Sequence, residues 1–551
     1  MKYNNLFKKY AKVALSLILT FAIMLSSSIT TFASTIKKDY KTYVMAPLEK
    51  IKDNNWDVFK EKLITLKNNG VYAITTDIWW GYVEENGDNQ FDWSYYKKYA
   101  DVVRSSGLKW VPILSTHQCG GNVGNGETTV PLPSWLWTKD SKENMQFKNE
   151  EGQYIDEYLS PWWSGIEQQY DELYASFAEN FSEYKDIIAK IYLSAGPSGE
   201  LRYPSYNTNI AGWTYPERGQ LYCYSEGAVK DFQDAMKDKY GTISEVNDKW
   251  ETNLADFTQI QPPTDGDNFF INGYKTTYGN DFLTWYQETL EKHLAKMASK
   301  AHENFDSVFN VRIGAKVAGI HWLMNSPTMP HAAEYCAGLY NYSDLLDQFK
   351  KSDLDLTFTC LEMNDSDAYK DNYYSAPKSL VIEIANLAKS KGITMCGENA
   401  LAIVNNNQGY QNSAEALFNY DLSGFTLLRI NNLLSSNGEF TSDFKPFIDT
   451  LVRKPVPVTF TIDNVNLNNG EKLYLTGSNW EMANWTTGLY PSEFTCKDGK
   501  ATITVYLGEG QNYEFKAIKK DKSGNVTWES GDNHSYTVPE DGGNYNWSWN
   551  N

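Results

Sequence analysis

Apolar residues along this chain follow two rhythms, and the change between them falls near residue 453. Before it, short apolar runs ending in polar or aromatic residues recur at 42-TYVMAPL-48, 72-YAITTDIWWG-81, 109-KWVPILSTH-117, 187-IIAKIYLSAG-196, 311-VRIGAKVAGIHW-322, 356-LTFTCLEM-363, 393-ITMCGE-398 and 425-FTLLRINN-432. Between them lie 93-WSYYKKYADVVRSSG-107, 281-DFLTWYQETLEKHLAKMASKAHENF-305 and 379-SLVIEIANLAKSKG-392, whose apolar positions recur every three and four residues, as in a helix with one buried face. Eight strands alternating with helices predict an α/β chain built as a (β/α)8 barrel, with its longest loops after the third and fourth strands. A doubly wound sheet lacks support, because no glycine-rich turn leads from the first strand into a helix.

After 453-RKPVPVTFTIDN-464 the runs become short and alternating: 456-VPVTFTI-462, 472-KLYLTG-477, 501-ATITVYL-507, 512-NYEFKAIKK-520, 525-NVTWES-530 and 544-NYNWSWN-550, separated by Asn, Gly and Asp. This pattern predicts an appended β-sandwich over 455–551. Its tryptophans, Trp480, Trp485, Trp528, Trp547 and Trp549, exceed what packing requires, so two or three are expected to face solvent and ligand.

The other end of the chain reads as an export signal. Residues 1–33 carry Lys2, Lys8, Lys9 and Lys12 without an acid, then an apolar run from Ala11 to Leu25, then small residues. The expected division is a signal peptide over 1–33, a catalytic barrel over 34–454 and the sandwich over 455–551. No later run is apolar enough to span a membrane, so a secreted, soluble, extracellular protein with no membrane partner is expected; it is taken as a monomer.

Charge and composition narrow the chemistry. A formal charge of −19 disfavours nucleic acid as a partner. Aromatic residues make up 15% of the chain, and flat rings suit neutral carbohydrate as well as cores. Six cysteines without a CxxC pair form no metal knuckle, and the absence of HExxH argues against zinc. Export permits disulfides, although a core of this size does not require them. The run 120-GGNVGNG-126 has a permissive glycine-rich backbone but lacks the GK[ST] of a phosphate loop.

The candidate chemistry lies at two strand ends. In 190-KIYLSAGPSGELRYPSY-206 an apolar run opens into a loop carrying Glu200 beside Arg202, and 392-GITMCGENAL-401 delivers Glu398 in the same way. A barrel gathers such distant strand ends around one pocket. Two carboxyl groups there suit glycosidic cleavage: about 6.5–9.5 Å apart they invert the anomeric centre, and about 5–5.5 Å apart they retain it.

Seven motifs in order, 45-MAPL-48, 76-TDIWWG-81, 117-HQCGGNVG-124, 197-PSGELRYPSY-206, 316-KVAGIHW-322, 358-FTCLEM-363 and 397-GENAL-401, resemble those of the β-amylases, particularly bacterial members with a C-terminal starch-binding domain. The resemblance implies exo-acting, inverting hydrolysis of α-1,4-glucosidic bonds in starch, glycogen and maltooligosaccharides, releasing β-maltose from non-reducing ends. Glu200 would be the general acid and Glu398 the general base. Asp77, His117, His321 and Trp322 would contact substrate, Lys316 would hold the reducing-side glucose, and Thr359 would support the base after cleavage. Asn399 and Arg429 would back up Glu398. Residues 120–126 would form a lid over the substrate, and in it Asn125 stands where the family pattern has an aspartate, which removes a charge from that position.

The same resemblance implies a calcium site from Glu84, Asp88 and Glu172, with Gln169 in place of a fourth carboxylate. In the sandwich, Trp485, Lys516, Trp528, Glu529 and Asn533 match one sugar site that would hold raw starch granules, whereas Asn469 and Ala501 occupy aromatic positions of a second. Two other functions compete: an endo-acting or retaining glucan hydrolase, and a starch-binding protein without catalysis. The second would be marked by loss of a strand-end glutamate, and both are present.

Overall fold

The computed structural model describes residues 40–120, 128–365, 373–487 and 493–550. The expected signal peptide and Asn125 therefore lie outside the described residues.

All eight expected runs form parallel strands: β1 (Lys41–Met45), β2 (Ala73–Trp79), β3 (Lys109–Ser115), β4 (Lys190–Leu193), β5 (Arg312–Val317), β6 (Asp355–Phe358), β7 (Met395–Glu398) and β8 (Gly424–Leu427). Each pairs with its successor, and Lys41–Val44 of β1 pair with Gly424–Leu427 of β8 to close the barrel. Strand side chains alternate between faces, and the core divides accordingly. Val44, Ile74, Trp110 and Ile191 join the large cluster beneath the helices. Met45, Ala73, Val111, Ile113 and Tyr192 form a separate cluster within the barrel. Lys190 and Asp355, the first residues of β4 and β6, pair at 2.6 Å, and the Tyr192 hydroxyl meets Thr357 Oγ1 at 2.6 Å.

The helices carry the stop signals their sequences contain. α1 (Ser94–Ser106) ends on Gly107 at φ 78°, in the left-handed region that glycine tolerates. α2 (Ile166–Phe181) packs along α3 (Thr277–Phe309), a 33-residue helix whose Thr276 side chain accepts from the Gly279 N–H. The expected 281–305 helix is thus a turn longer at each end. α4 (Pro377–Lys391) opens with proline in its first turn, and α5 (Asn407–Asn419) precedes β8. As expected, the longest connections follow β3 and β4.

The C-terminal residues form two packed sheets. One has the order β11-β12-β9-β16 and the other runs β10-β13-β14, with β15 also on β13. The strands are β9 (Pro455–Asp463), β10 (Lys472–Gly477), β11 (Thr495–Lys497), β12 (Lys500–Gly508), β13 (Asn512–Lys520), β14 (Val526–Trp528), β15 (His534–Thr537) and β16 (Gly543–Ser548). Val456, Val458, Phe460 and Ile462 alternate into a core shared with Leu475, Leu507 and Phe515. Ala501 lies in that core, and Trp547 and Trp549 pack against or within it. Trp485 is half-buried, and Trp528 stands out at 42% exposure.

The sandwich is docked on the barrel. Phe418 of α5 belongs to the sandwich core. Gln411 donates to the Tyr506 carbonyl at 3.0 Å and accepts from its N–H at 2.9 Å, completing backbone bonds that β12 would otherwise leave open. Nearby, the Tyr513 hydroxyl donates to Glu481 Oε1 at 2.9 Å, while Glu481 Oε2 is buried without a partner. Burial, reinforced by the charge of Asp449, pushes Glu481 up to about 7.

All six cysteines are unpaired, five of them buried and Cys496 exposed. Among the described residues no helix is long and apolar enough to cross a membrane.

Candidate active site

The candidate residues meet at the C-terminal ends of the barrel strands. β4 stops at Leu193, and the chain turns through Gly196 and a 3-10 turn at Pro197–Gly199. Gly196 has no room for a side chain: a Cβ there would lie 2.4 Å from the Glu200 carbonyl oxygen. The turn returns Glu200 to the sheet, where it bridges Lys316 and the Leu201 N–H donates to the Lys316 carbonyl at 2.8 Å. The same Lys316 extends its ammonium to both oxygens of Glu398, at 2.8 and 2.7 Å. One residue of β5 therefore joins the loop of the first glutamate to the side chain of the second.

The two carboxylates have different surroundings. Glu200 Oε2 accepts from the buried Arg202 Nε at 3.1 Å and from the Tyr206 hydroxyl at 3.4 Å. The Arg202 guanidinium lies 4.0 Å from the Tyr206 ring centroid. Glu398 is buried at the end of β7, and burial raises its pKa above the usual value; Lys316 and Arg429 oppose this rise, while Glu200 adds to it.

Asp77, at the end of β2, accepts from Ser115 Oγ at 3.0 Å and lies 3.5 Å from Arg429 Nη1. His117 Nδ1 meets Ser194 Oγ at 2.7 Å, and His321 Nδ1 meets Ser375 Oγ. Burial pushes both imidazoles down to about 4, so both are neutral near pH 7 and each keeps Nε2 for a ligand. Trp322 and Trp213 donate their indole N–H groups to the same Glu217 carbonyl, each at 2.8 Å. With Tyr206 and the half-exposed Tyr215 they build an aromatic wall. Thr359 Oγ1 accepts from the Gly319 N–H at 2.8 Å.

One expected role needs correction. Asn399 does not reach the Glu398 carboxylate; its side chain bonds to the backbone of Leu401 and Leu428, tying the β7 and β8 loops together. Arg429 acts on Glu398 through its field, while its near carboxylate is Asp77. Lys316 sits on both oxygens of Glu398 and also lies 3.8 Å from Met45 Sδ. Sequence reading also missed Ser194 and Ser375, which orient the histidines, and Glu362. The Glu362 carboxylate accepts from Ala400 N, at 3.1 Å to each oxygen, and from Leu401 N at 2.8 Å. No local pattern marks a serine or glutamate whose partner is distant in sequence.

At the expected calcium site, Glu84 accepts from Trp80 Nε1 at 2.5 Å and Asn89 N at 2.6 Å. Asp88 pairs with Lys139 at 2.6 Å, and Glu172 accepts from Gln168 and Gln169 at 2.8 and 3.0 Å. Among the described residues no three His, Cys, Asp or Glu side chains are grouped to hold a metal. The hard oxygen donors nonetheless suit calcium, and they lie close enough to feel one another. Burial pushes Glu84 up to about 7, and the charges of Asp88 and Glu172 add to that rise.

In the sandwich, Lys516 donates to the Glu529 carbonyl at 3.2 Å and to the Gly531 carbonyl. Thr476, its cross-strand partner, donates to the Thr486 carbonyl at 3.0 Å, next to Trp485. Asn533 Nδ2 lies 3.3 Å from Glu514 Oε2. The Glu529 carboxylate turns inward and accepts from Trp547 Nε1 at 2.8 Å, so its side chain braces the site instead of meeting sugar.

A closed parallel barrel whose strand ends converge two carboxyl groups, neutral imidazoles and an aromatic wall is the architecture of a glycoside hydrolase. Residues 43–457 match the family model Glycosyl hydrolase family 14, and residues 455–547 match a Starch binding domain model. The chain is 59% identical over 551 residues to a thermophilic β-amylase of Thermoanaerobacterium thermosulfurigenes, covering 99% of each. It is 45% identical to a β-amylase of Bacillus cereus, covering 96% of each. The crystal structure of the catalytic domain of β-amylase from Paenibacillus polymyxa superposes with a TM-score of 0.72 at 56% identity, covering 75% of this chain and 98% of that one. The chain belongs to glycosyl hydrolase family 14, the β-amylases, and ends in a starch-binding domain.

Proposed function

We propose that Glu200 and Glu398 carry, as general acid and general base, the exo-acting inverting hydrolysis that releases β-maltose from the non-reducing ends of α-1,4-glucans. Glu200 gives its proton to the glycosidic oxygen as that bond breaks. Glu398 takes a proton from a water that attacks the anomeric carbon from the opposite face. The observation that carries the reading is Lys316, which joins the Glu200 loop to the Glu398 carboxylate. Asp77 and the neutral His117 and His321 suit the hydroxyls of a terminal disaccharide, and Trp322 suits a sugar face. Asn125, outside the described residues, is proposed as a further substrate contact.

Starch and maltooligosaccharides are the substrates of this reading; glycogen, which presents the same bonds and chain ends, is proposed with them. The sandwich is assigned to granules through Trp485, Trp528, Lys516 and Asn533, with a single complete site because Ala501 is core. A secreted monomer and a structural calcium at Glu84, Asp88 and Glu172 complete the proposal. Digestion of soluble starch followed by NMR of the product anomer tests it. Early β-maltose alone is expected, and α-anomers or a ladder of long oligosaccharides would refute it.

A further inference from the structure

The buried carboxylate of Glu362 belongs to no role assigned so far. It is 6% exposed, four residues beyond the end of β6, and its oxygens accept the successive N–H groups of Ala400 and Leu401. Those residues directly follow Asn399 and Glu398. The two loops are joined again where the Leu361 N–H donates to the Glu398 carbonyl at 3.3 Å. From behind, Asn412 of α5 donates to the Glu362 carbonyl at 2.9 Å. Gly397 shows how tightly the loops interlock, since a Cβ there would fall 2.1 Å from Leu361 Cδ2.

A neutral side chain could cap two N–H groups without the cost of burying a charge. We propose that Glu362 is a positioning residue for the hydrolysis: its carboxylate fixes the 398–401 segment, and hence the base, while its negative charge strengthens Glu398 as a proton acceptor. Burial pushes Glu362 up to about 7 despite its backbone donors, and the Glu398 charge adds to the rise, so the two groups feel each other. The other charged groups acting on Glu398 are Lys316, Glu200 and Arg429. Glu362 is the one among these that also holds the backbone beyond it. The inference rests on the assignment of Glu398 as base.

The test uses the full-length enzyme and a short soluble maltooligosaccharide, comparing the parent with E362Q, E362D and E398Q. E362Q keeps the shape, loses the charge and retains one acceptor. A displaced base costs on the order of tenfold to a hundredfold in kcat with KM changed only a few-fold. The pH profile of kcat/KM should also lose the change near pH 7 at which the parent's Glu362 takes on its charge beside Glu398. E362D keeps an ionisable carboxyl but draws it back by one methylene, so kcat should fall while the change near pH 7 stays. Parent-like kcat in either variant overturns the inference. A loss of kcat that follows the folded fraction, with the pH profile unmoved in E362Q, also overturns it. If E362Q does not fold, the E362D comparison decides. E398Q separates the two readings: activity there refutes the base assignment itself, whereas an inactive E398Q beside a parent-like E362Q refutes only the role of Glu362.

Discussion

Exchanging Glu200 or Glu398 for Gln preserves shape and removes one proton transfer or one charge. Each variant should lose roughly 10²–10⁴-fold in kcat while its circular dichroism stays that of the parent. The amide introduced by Glu398→Gln still offers Lys316 one acceptor. Substantial turnover by both variants would refute the assignment. In the sandwich, Trp528→Ala removes the most exposed ring among its described residues and should abolish most adsorption to granules without changing the rate on soluble starch. Sedimentation with raw starch checks this, and parent-like adsorption would mean a second competent surface. The glutamates, Asp77 and the histidines were legible because a strand period that breaks into polar residues marks a barrel rim. Direction was not legible. Asn399 turns to the backbone of Leu428, Arg429 to Asp77 and Glu529 to Trp547, because each neighbour comes from a distant part of the chain.

At the level of elements, the eight barrel strands and the helices α1, α3 and α4 could be read because each keeps one period long enough to see. The short β11 and β15 could not. β11 has three exposed residues, and the four residues of β15 alternate only between half-buried and exposed, so neither shows an apolar face. The 196–199 turn yields a sharper prediction. Gly196→Ala places a methyl against the backbone of Glu200 and Arg202, so the turn must open and shift the acid. A lower Tm together with a kcat loss of about tenfold or more is expected. A variant with normal kcat would show that the turn is not what aims Glu200.

For the whole molecule, the junction at Pro455 divides the sequence pattern but not the packing. Removing 455–551 uncovers Phe418, which belongs to the sandwich core, and leaves Gln411 without its strand. The truncated barrel should still release maltose from soluble starch, adsorb poorly to granules and melt several degrees below the parent. Loss of both activity and folded signal would make the sandwich a structural part of the barrel. The junction also carries a pH dependence. Glu481 is raised to about 7 in the fold, so its contribution is fully present below the unfolded carboxyl value and is lost as pH rises through about 7. Glu84 and Glu362, raised to about 7 as well, act in the same direction. Between about pH 5 and about pH 7 the Tm should fall, and E481Q should flatten part of that fall. An unchanged slope in E481Q would exclude Glu481 as a source.

The Gln411 clamp and the shared Phe418 leave the anchored foot and the cutting mouth no slack between them. A slack linker would let one foothold serve every chain end within its swing. Here the offset is built into the molecule, so each foothold serves only the ends lying at one distance and one height. The relief of the granule surface, more than the number of free ends on it, is then expected to govern how fast solid starch is eroded.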